Sequence, residues 1–135
     1  MTDIPEGYAP AWNTGFNEYV GPFYGRALED GSVHFFLDLR DEHMNGAGFA
    51  HGGLLMAFAD AALGTAVNVA IDGAASATMT LNTDFIAAGQ PGTRIECEAS
   101  VTRRTRSVVF VQGRVYSGDK TLLTATGIWK VLGAK

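Results

Sequence analysis

Residues 51–71 read HGGLLMAFADAALGTAVNVAI, and this stretch determines how the rest of the chain must fold. It is rich in alanine, leucine and methionine and is long enough for about five turns of α-helix. Apolar residues lie on nearly every side of that helix, and a helix that is apolar all round is a buried helix. We therefore predict one long central helix that the rest of the chain, or a second copy of it, must cover.

A membrane span is the competing interpretation, because residues 54–71 reach the length of about 18 residues that a span requires. Asp60 and Asn68 interrupt the apolar stretch, and its flanks are rich in strand-forming residues that do not suit a single-pass protein. We therefore expect a core helix and no membrane association.

The segments on either side of the helix predict β-strands. Two strand-like runs, 24–29 and 32–39, precede it and are joined by Asp30-Gly31, a strong hairpin signal. Four runs rich in valine, threonine, isoleucine and aromatic residues follow, at 78–86, 93–103, 107–116 and 121–132. Their short connections predict antiparallel neighbours. The fold class is therefore α+β, with one helix on a single curved sheet of about six strands.

Length and composition indicate one ordinary globular domain. The chain has 135 residues, of which 47% are hydrophobic and 18% charged. We expect residues 1–22 to comprise a loosely held arm of about ten residues and a short helix that Asn13 or Thr14 caps and that extends to about Val20. Residues 23–135 are expected to form the single domain. The net charge of −4 indicates that the protein does not bind nucleic acid, because nucleic-acid binders usually carry a basic excess.

The N-terminus lacks the basic and apolar regions of a secretory signal, and the single cysteine, Cys97, cannot form an internal disulfide. A reducing cytoplasm is therefore the expected location. His34, His43 and His51 have no metal-ligand spacing with cysteine or carboxylate residues, so no metal site is predicted.

One carboxylate lies where the fold predicts apolar surroundings. Asp60, in the middle of the helix, is the only Asp, Glu, Lys or Arg between Glu42 and Asp72. Asp is almost never fully buried unless it is paired, because burying a bare charge is very costly. Asp60 is therefore interpreted either as a base or nucleophile held in a cleft, or as a structural residue bonded to backbone at a subunit seam.

His51-Gly52-Gly53 opens the same helix. Glycines in a first turn let a ligand approach backbone N–H groups that have no intrahelical partner. The positive end of the helix macrodipole also lies there, so a polarised carbonyl oxygen or an oxyanion is a suitable guest. A loop-to-helix junction that simply needs a flexible backbone is the alternative.

Gly52 and Asp60 are separated by about 12 Å along one helix, too far for both to touch one reacting carbonyl. If both act on one substrate, they must come from different chains. We therefore hypothesise an active site across a two-fold dimer, with Gly52 from one subunit and Asp60 from the other.

Together with Asn45, the helix start and Asp60 at these spacings closely resemble the hotdog-fold acyl-CoA thioesterases, in particular the phenylacetate-pathway (PaaI-like) group. The likeness extends over nearly the whole chain, including the strand TMTLNTDFI. It implies a curved antiparallel sheet wrapped around the helix, and homodimers often paired into tetramers. It also implies hydrolysis of an acyl-CoA thioester to a carboxylic acid and free coenzyme A. Coenzyme A is then part of the substrate, so no separate cofactor is expected.

The resemblance also implies residue roles. The backbone N–H of Gly52 polarises the thioester carbonyl, and Asp60 of the partner subunit is the nucleophile or the base that activates water. Asn45 lies where the family has a polar residue that positions water or the thioester. His51 helps to hold Asn45 and the loop that contains it. Thr78 stands where relatives often have a serine or threonine that orients water.

A basic turn is a candidate for binding coenzyme A. Residues 103–106 contain the only basic cluster of this acidic chain, and guanidinium groups bind phosphates bidentately. The resemblance places this turn near the phosphates of coenzyme A, whereas a solvated hairpin tip is the alternative. The expected substrate-binding residues are Gly53, Phe85, Ile86, Arg103, Arg104, Arg106 and Ser107.

Two other functions stay open. Hotdog relatives include hydratases and dehydratases of acyl thioesters, which usually pair an acidic residue with a catalytic histidine. Here His51 adjoins the helix start rather than Asp60. A non-catalytic acyl-CoA binder would keep Asp60 at a subunit seam. Phe49, Phe58 and Phe85 allow an aromatic acyl group but equally suit a packed core.

Overall fold

The computed structural model describes residues 3–133. A short 3-10 turn at Asp41–His43 precedes the long helix. The helices and strands, in chain order, are β1 (Ala9–Pro10), α1 (Gly15–Val20), β2 (Tyr24–Ala27), β3 (Val33–Asp38), α2 (Gly52–Ala70), β4 (Ser76–Phe85), β5 (Arg94–Arg104), β6 (Val108–Ser117) and β7 (Lys120–Val131).

All the strands pair antiparallel in one sheet with the order β1-β2-β3-β5-β6-β7-β4. The predicted α+β class with one long helix is confirmed. The sheet has seven strands instead of about six because β1, only two residues long, pairs with β2. A strand of two residues is too short to show an alternating pattern in the sequence, so it could not be predicted.

The expectation that short connections join neighbouring strands is wrong for β4 and β5. After α2 the chain enters β4 at one edge, next to β7, and then returns to place β5 beside β3. The helix carries the chain across the face of the sheet, so the strand that follows it starts on the far side. One edge of β4 is consequently left unpaired within residues 3–133.

The central helix is buried along about half of its surface, on the side that faces the sheet. Nine of its residues are buried: Leu54, Leu55, Phe58, Ala59, Ala61, Ala62, Leu63, Ala66 and Val67. This helix has the length and composition of a membrane span, yet 50% of the stretch is buried inside the protein. It is therefore the core helix. A half-buried stripe at Asp60, Gly64 and Asn68 is left on its other side.

Aromatic packing and strand alternation anchor α2 to the sheet. The Phe58 ring lies at the centre, 5.4 Å from the Phe23 ring and 6.4 Å from the Phe35 ring, measured between centroids. On β5, Ile95 and Cys97 are both fully buried beneath the helix. Burial raises the pKa of the Cys97 thiol to about 12, so this cysteine is a core residue.

The N-terminal arm is attached to the sheet rather than loosely held. The Tyr8 ring packs edge-on against the Phe36 ring at 5.1 Å, and β1 pairs with β2. The predicted cap of α1 is wrong. Thr14 makes no capping bond, and the Asn13 side chain instead bonds the backbone N–H and C=O of Phe23 at 3.0 and 3.3 Å. Asn13 therefore fixes the arm rather than the helix start.

Gly127 tests how tightly the sheet packs against its own side chains. A methyl group there would overlap the Trp129 ring and lie 3.2 Å from the Thr80 carbonyl oxygen. We expect Gly127→Ala to lower the free energy of unfolding by about 1–3 kcal/mol, because an overpacked site forces side chains out of position. Urea denaturation measures this.

Gly46→Ala is the matched control, because a methyl group at Gly46 meets no atom within 4 Å. It should change the free energy of unfolding by less than about 0.5 kcal/mol. Equal stabilities of the two variants would contradict the packing described for β7.

Candidate active site

Asp60 opens onto a groove between α2, the segment that leads into β4, and the N-terminal arm. Asp60, Gly64 and Asn68 follow one another at intervals of four residues, which places them on one face of the helix. The groove has a volume of about 390 Å³ and is lined by Trp12, Asn17, Asp60, Ala61, Gly64, Asn68, Gly73, Ala74, Ala75, Ser76 and Trp129.

Thr78 is brought against Asp60 by a β-bulge. Its hydroxyl donates a hydrogen bond of 3.1 Å to Asp60 Oδ1. Thr78 pairs with the buried Trp129 and so faces the helix, while the register with β7 shifts between Thr78 and Thr80. The bulge aims the Thr78 hydroxyl at the helix, as bulges beside functional sites often do.

The surroundings of Asp60 disfavour its charge. Desolvation by burial is the largest influence and raises the pKa of the Asp60 carboxyl above its ordinary value. The hydrogen bond from Thr78 lowers this pKa but does not offset the burial. A half-buried carboxylate with a raised pKa in a groove is the environment of a general base or a nucleophile.

The start of α2 forms a second cluster. The N–H of Gly53 donates to His51 Nδ1 at 2.8 Å, so the histidine caps the helix. The N–H of Gly52 has no acceptor within residues 3–133. A methyl group on Gly52 would lie 3.2 Å from the Phe85 ring, which is 54% exposed. A free N–H at a helix start therefore lies beside an exposed aromatic ring.

Asn45 shapes the loop that leads to this helix start. Its side-chain oxygen accepts from the N–H groups of Ala47 and Phe49 at 2.9 and 3.1 Å, and its own N–H donates to the Phe49 carbonyl at 2.7 Å. The side-chain NH₂ makes no hydrogen bond within the described part of the chain. The predicted site residue thus holds a loop with its oxygen and leaves its donors unused.

The predicted basic turn lies apart from both clusters. Arg103 and Arg104 end β5, and Arg104 donates to the Ala70 carbonyl at 2.6 Å, which caps the C-terminus of α2. Arg103 and Arg106 are exposed and form no hydrogen bond or ion pair among residues 3–133. The carbonyl of the half-buried Ser107 accepts from the Val131 N–H at 2.8 Å.

One chain therefore contains separate parts of the predicted site. Asp60 and Thr78 lie together at mid-helix. The helix-start cluster, eight residues back along the helix, comprises Gly52, Gly53, His51 and Phe85. Ile86 follows Phe85 at the end of β4 and is 59% exposed.

Of the eleven residues that line the Asp60 groove, the sequence interpretation named only Asp60 as a site residue, and the residues that it missed include Trp12, Asn17 and Trp129. The alternation of buried and exposed residues along β7 could have predicted that Trp129 faces the helix. Trp12 and Asn17 lie far away in sequence and carry no local signal.

Two further groups of polar residues lie elsewhere. Buried His43 accepts from the Arg40 N–H through Nδ1 and donates through Nε2 to the Val20 carbonyl at 2.6 Å, so it ties the loop to α1.

A larger depression of about 520 Å³ lies on the outer face of the sheet, around Glu98 and Arg114, and contains none of the predicted site residues. In residues 3–133, no group of three or more His, Cys, Asp or Glu side chains is placed to hold a metal ion.

Comparison with known proteins identifies the family. The profile of the Thioesterase superfamily matches residues 47–124. The Pseudomonas aeruginosa protein named "Putative esterase PA0474" is 28% identical over 131 residues, which cover 96% of this chain and 98% of that protein.

Two solved structures are also similar. A mutant of the phenylacetic acid degradation protein PaaI from Thermus thermophilus has a TM-score of 0.79 and 26% identity, covering 87% of this chain and 98% of that one. A phenylacetic acid degradation-related protein from Ralstonia eutropha has a TM-score of 0.74 and 31% identity, covering 79% and 83%.

A long helix wrapped by one antiparallel sheet, with glycines at its start and a carboxylate at its middle, defines a hotdog-fold protein. The chain belongs to the Thioesterase superfamily. Its similarity to the phenylacetic acid degradation proteins places it in the PaaI-like group. The predicted fold and family are thus confirmed, and the protein is a hydrolase of the thioesterase class.

The bond between Thr78 and Asp60 can be tested without a substrate. We expect Thr78→Val to raise the pKa of the Asp60 carboxyl, because the hydroxyl no longer stabilises the ionised form while burial still disfavours it. NMR titration of the side-chain carboxyl carbon measures this pKa.

Thr78→Ser keeps the hydroxyl and should keep the pKa of Asp60 close to the wild-type value. Thr80→Val is the matched control, because Thr80 lies past the bulge and pairs with Ile128. A pKa that is the same in Thr78→Val and wild type would contradict the assigned bond.

Proposed function

We propose that the protein is an acyl-CoA thioesterase that works as a homodimer, with each active site built from both subunits. The half-buried Asp60 carboxylate, held by Thr78 at the edge of a groove, is the observation that carries this proposal. Membership of the Thioesterase superfamily and the thioesterase-related relatives support the class of reaction.

The exposed edge of β4 supports the dimer. This strand has ten residues and pairs only with β7 among the described residues; it exposes Met79 and Phe85, and the exposed Ile86 follows it directly. A long, unpaired and apolar edge is a template for pairing with another strand. A second β4 related by a two-fold axis would cover it.

This pairing would also complete the site. In an antiparallel pair of β4 strands related by a two-fold axis, Ser76 at the start of one strand would lie near Phe85 of the partner subunit at the end of the other. Ser76 lines the Asp60 groove, and Phe85 packs beside Gly52. The pairing therefore brings the free N–H of one subunit towards the carboxylate of the other, which overcomes the separation of about 12 Å within one helix.

The chemistry follows from these groups. The thioester carbonyl oxygen accepts from the Gly52 N–H, which stabilises the negative charge that develops there. Asp60 either attacks the carbonyl carbon and expels the thiolate, giving an anhydride that water cleaves, or removes a proton from the attacking water. The Thr78 hydroxyl is hydrogen-bonded to Oδ1 of Asp60, so Oδ2 is the oxygen that would attack the carbonyl carbon or accept the proton from water. Both routes give a carboxylic acid and free coenzyme A.

The other expected contacts are part of the same proposal. Arg103 and Arg106 supply free guanidinium groups for the phosphates of coenzyme A, and the free amide donors of Asn45 suit a water or the thioester. We also propose a cytoplasmic enzyme, with two dimers paired into a tetramer.

The groove favours hydrolysis over hydration of an acyl thioester. Among residues 3–133, no histidine lines the groove that contains Asp60. The nearest candidate by sequence, His51, uses Nδ1 to cap α2. An acidic residue without a histidine partner suits attack on a carbonyl better than addition of water to a double bond. Loss of the conjugated absorbance of an enoyl-CoA would support the hydratase instead.

Asp60→Asn tests the catalytic carboxylate. We expect thiol release from a panel of acyl-CoA substrates to fall by about 100- to 10,000-fold, the usual contribution of a catalytic acid or base. The variant should melt no lower than wild type at neutral pH. A raised folded-state pKa means that ionised Asp60 destabilises the native state above that pKa, and asparagine removes this charge.

Asp119→Asn, in the exposed turn before β7, is the matched control and should keep full activity. Equal rates for Asp60→Asn and wild type would remove Asp60 from the mechanism. Saturable binding of acyl-CoA without any turnover by wild type would favour the non-catalytic binder.

Gly52→Pro tests the N–H donor. Proline at the first helical position is favourable, and His51, with φ −62° and ψ 133°, already has the backbone that precedes proline. We expect thiol release to fall by about 100-fold or more. Gly52→Ala retains the N–H and should lose much less.

A mixture of Asp60→Asn and Gly52→Pro chains tests whether the site is shared. If Gly52 and Asp60 come from different subunits, random mixing should restore about a quarter of the wild-type rate, because each heterodimer has one intact site. No restoration after verified subunit exchange would show that the site lies within one chain.

A further inference from the structure

We propose that Trp12 of the N-terminal arm and Gly64 of α2 set the size of the acyl group that the enzyme accepts. This inference rests on the proposed function. Both residues line the groove that contains Asp60, Trp12 from the N-terminal arm and Gly64 from α2. An acyl group whose carbonyl lies at Asp60 and that extends into this groove would contact both of them.

Trp12 is held in a fixed position although it lies in an arm. Its indole N–H donates to the Thr65 hydroxyl on α2, and that hydroxyl donates to the Ala61 carbonyl at 2.7 Å. The neighbouring residues are also fixed, because the Ala11 N–H donates to the Phe23 carbonyl at 3.0 Å and Asn13 bonds the same backbone. The ring is therefore a rigid wall.

Two observations indicate that the Trp12 ring faces a ligand. The side chain is 48% exposed despite being tied to the helix, so much of its surface lacks a partner within the described chain. Its φ of 55° lies in the left-handed region, which bulky residues rarely adopt. Such backbone strain persists where the surroundings enforce it, and it clusters at ligand sites.

Gly64 leaves space that the chain itself does not need. A methyl group there would first meet the Trp129 ring at 3.6 Å, an ordinary contact. Alanine would also favour the helix more than glycine does. Neither packing nor helix formation within this chain requires glycine at this position, so the space it leaves is available to the substrate.

The lining indicates a compact acyl group. Two indole rings, Trp12 and Trp129, lie on the groove together with the small residues Ala61 and Gly64, and the whole space is about 390 Å³. Flat apolar groups pack well against indole faces. We expect an aromatic or short acyl group to fit, and the Trp12 wall to exclude a long alkyl chain.

The experiment compares kcat/KM for acetyl-, benzoyl- and dodecanoyl-CoA in wild type and variants. Trp12→Ala should raise the dodecanoyl-to-benzoyl ratio by about tenfold or more, the scale on which pocket size discriminates substrates. Gly64→Ala should lower the benzoyl-to-acetyl ratio by a similar factor while its melting temperature rises. Trp12→Phe keeps a flat wall and should keep the wild-type ratios within about threefold.

Phe16→Ala and Tyr19→Ala are the matched controls, because these aromatic residues of α1 are 64% and 77% exposed and do not line the groove. Their ratios should equal those of wild type. Wild-type turnover with unchanged ratios in Trp12→Ala and Gly64→Ala would overturn this inference alone. The inference would also be overturned if the Trp12→Ala and Gly64→Ala substitutions changed only the dissociation constant of the dimer. That result would mean that the groove contacts the partner chain and not the acyl group. Absence of wild-type turnover on every thioester would instead reject the proposed function.

Discussion

The structure depends on one constraint, which is that a helix apolar on nearly every side must be covered although it carries a carboxylate. The sheet covers the face that contains Phe58 and Leu63. The opposite stripe, with Asp60, Gly64 and Asn68, stays half-buried under the arm and β4. Full burial would leave an unpaired charge in an apolar core, and full exposure would leave apolar helix surface in water. A groove satisfies both requirements.

The strand order determines which groups surround this groove. Because β4 returns to the edge beside β7, Thr78 lies against Asp60 and a ten-residue edge is left unpaired. The same edge ends at Phe85, next to the free N–H of Gly52. Asp60 and the Gly52 N–H, which lie far apart on one helix, are thus each close to one end of the unpaired strand β4. The proposed two-subunit site depends on this arrangement.

Much of the candidate site could be proposed from the sequence because its signals are local. Asp60 is recognisable as an isolated charge in an apolar helix, and the glycines at its start are recognisable by position. Family resemblance implied that Thr78 orients water, but its hydrogen bond to Asp60 was not predicted, because no sequence period predicts a bulge. The cap at Asn13 was mispredicted because its side chain bonds the backbone of Phe23 instead. Trp12 went unnoticed because the helical residue it bonds, Thr65, is 53 positions away.

The sequence by itself determined the long core helix, the strand-rich flanks and the presence of one carboxylate in the middle of that apolar helix. These follow from composition and spacing within single elements, where each residue's neighbours are fixed by the helical or strand period. Only the tertiary structure decided that β4 lies at an edge, that Arg104 caps the helix rather than standing free, and that the arm lines the groove containing Asp60. Those outcomes depend on how packed elements share space, and contacts between residues distant in sequence leave no periodic trace along the chain.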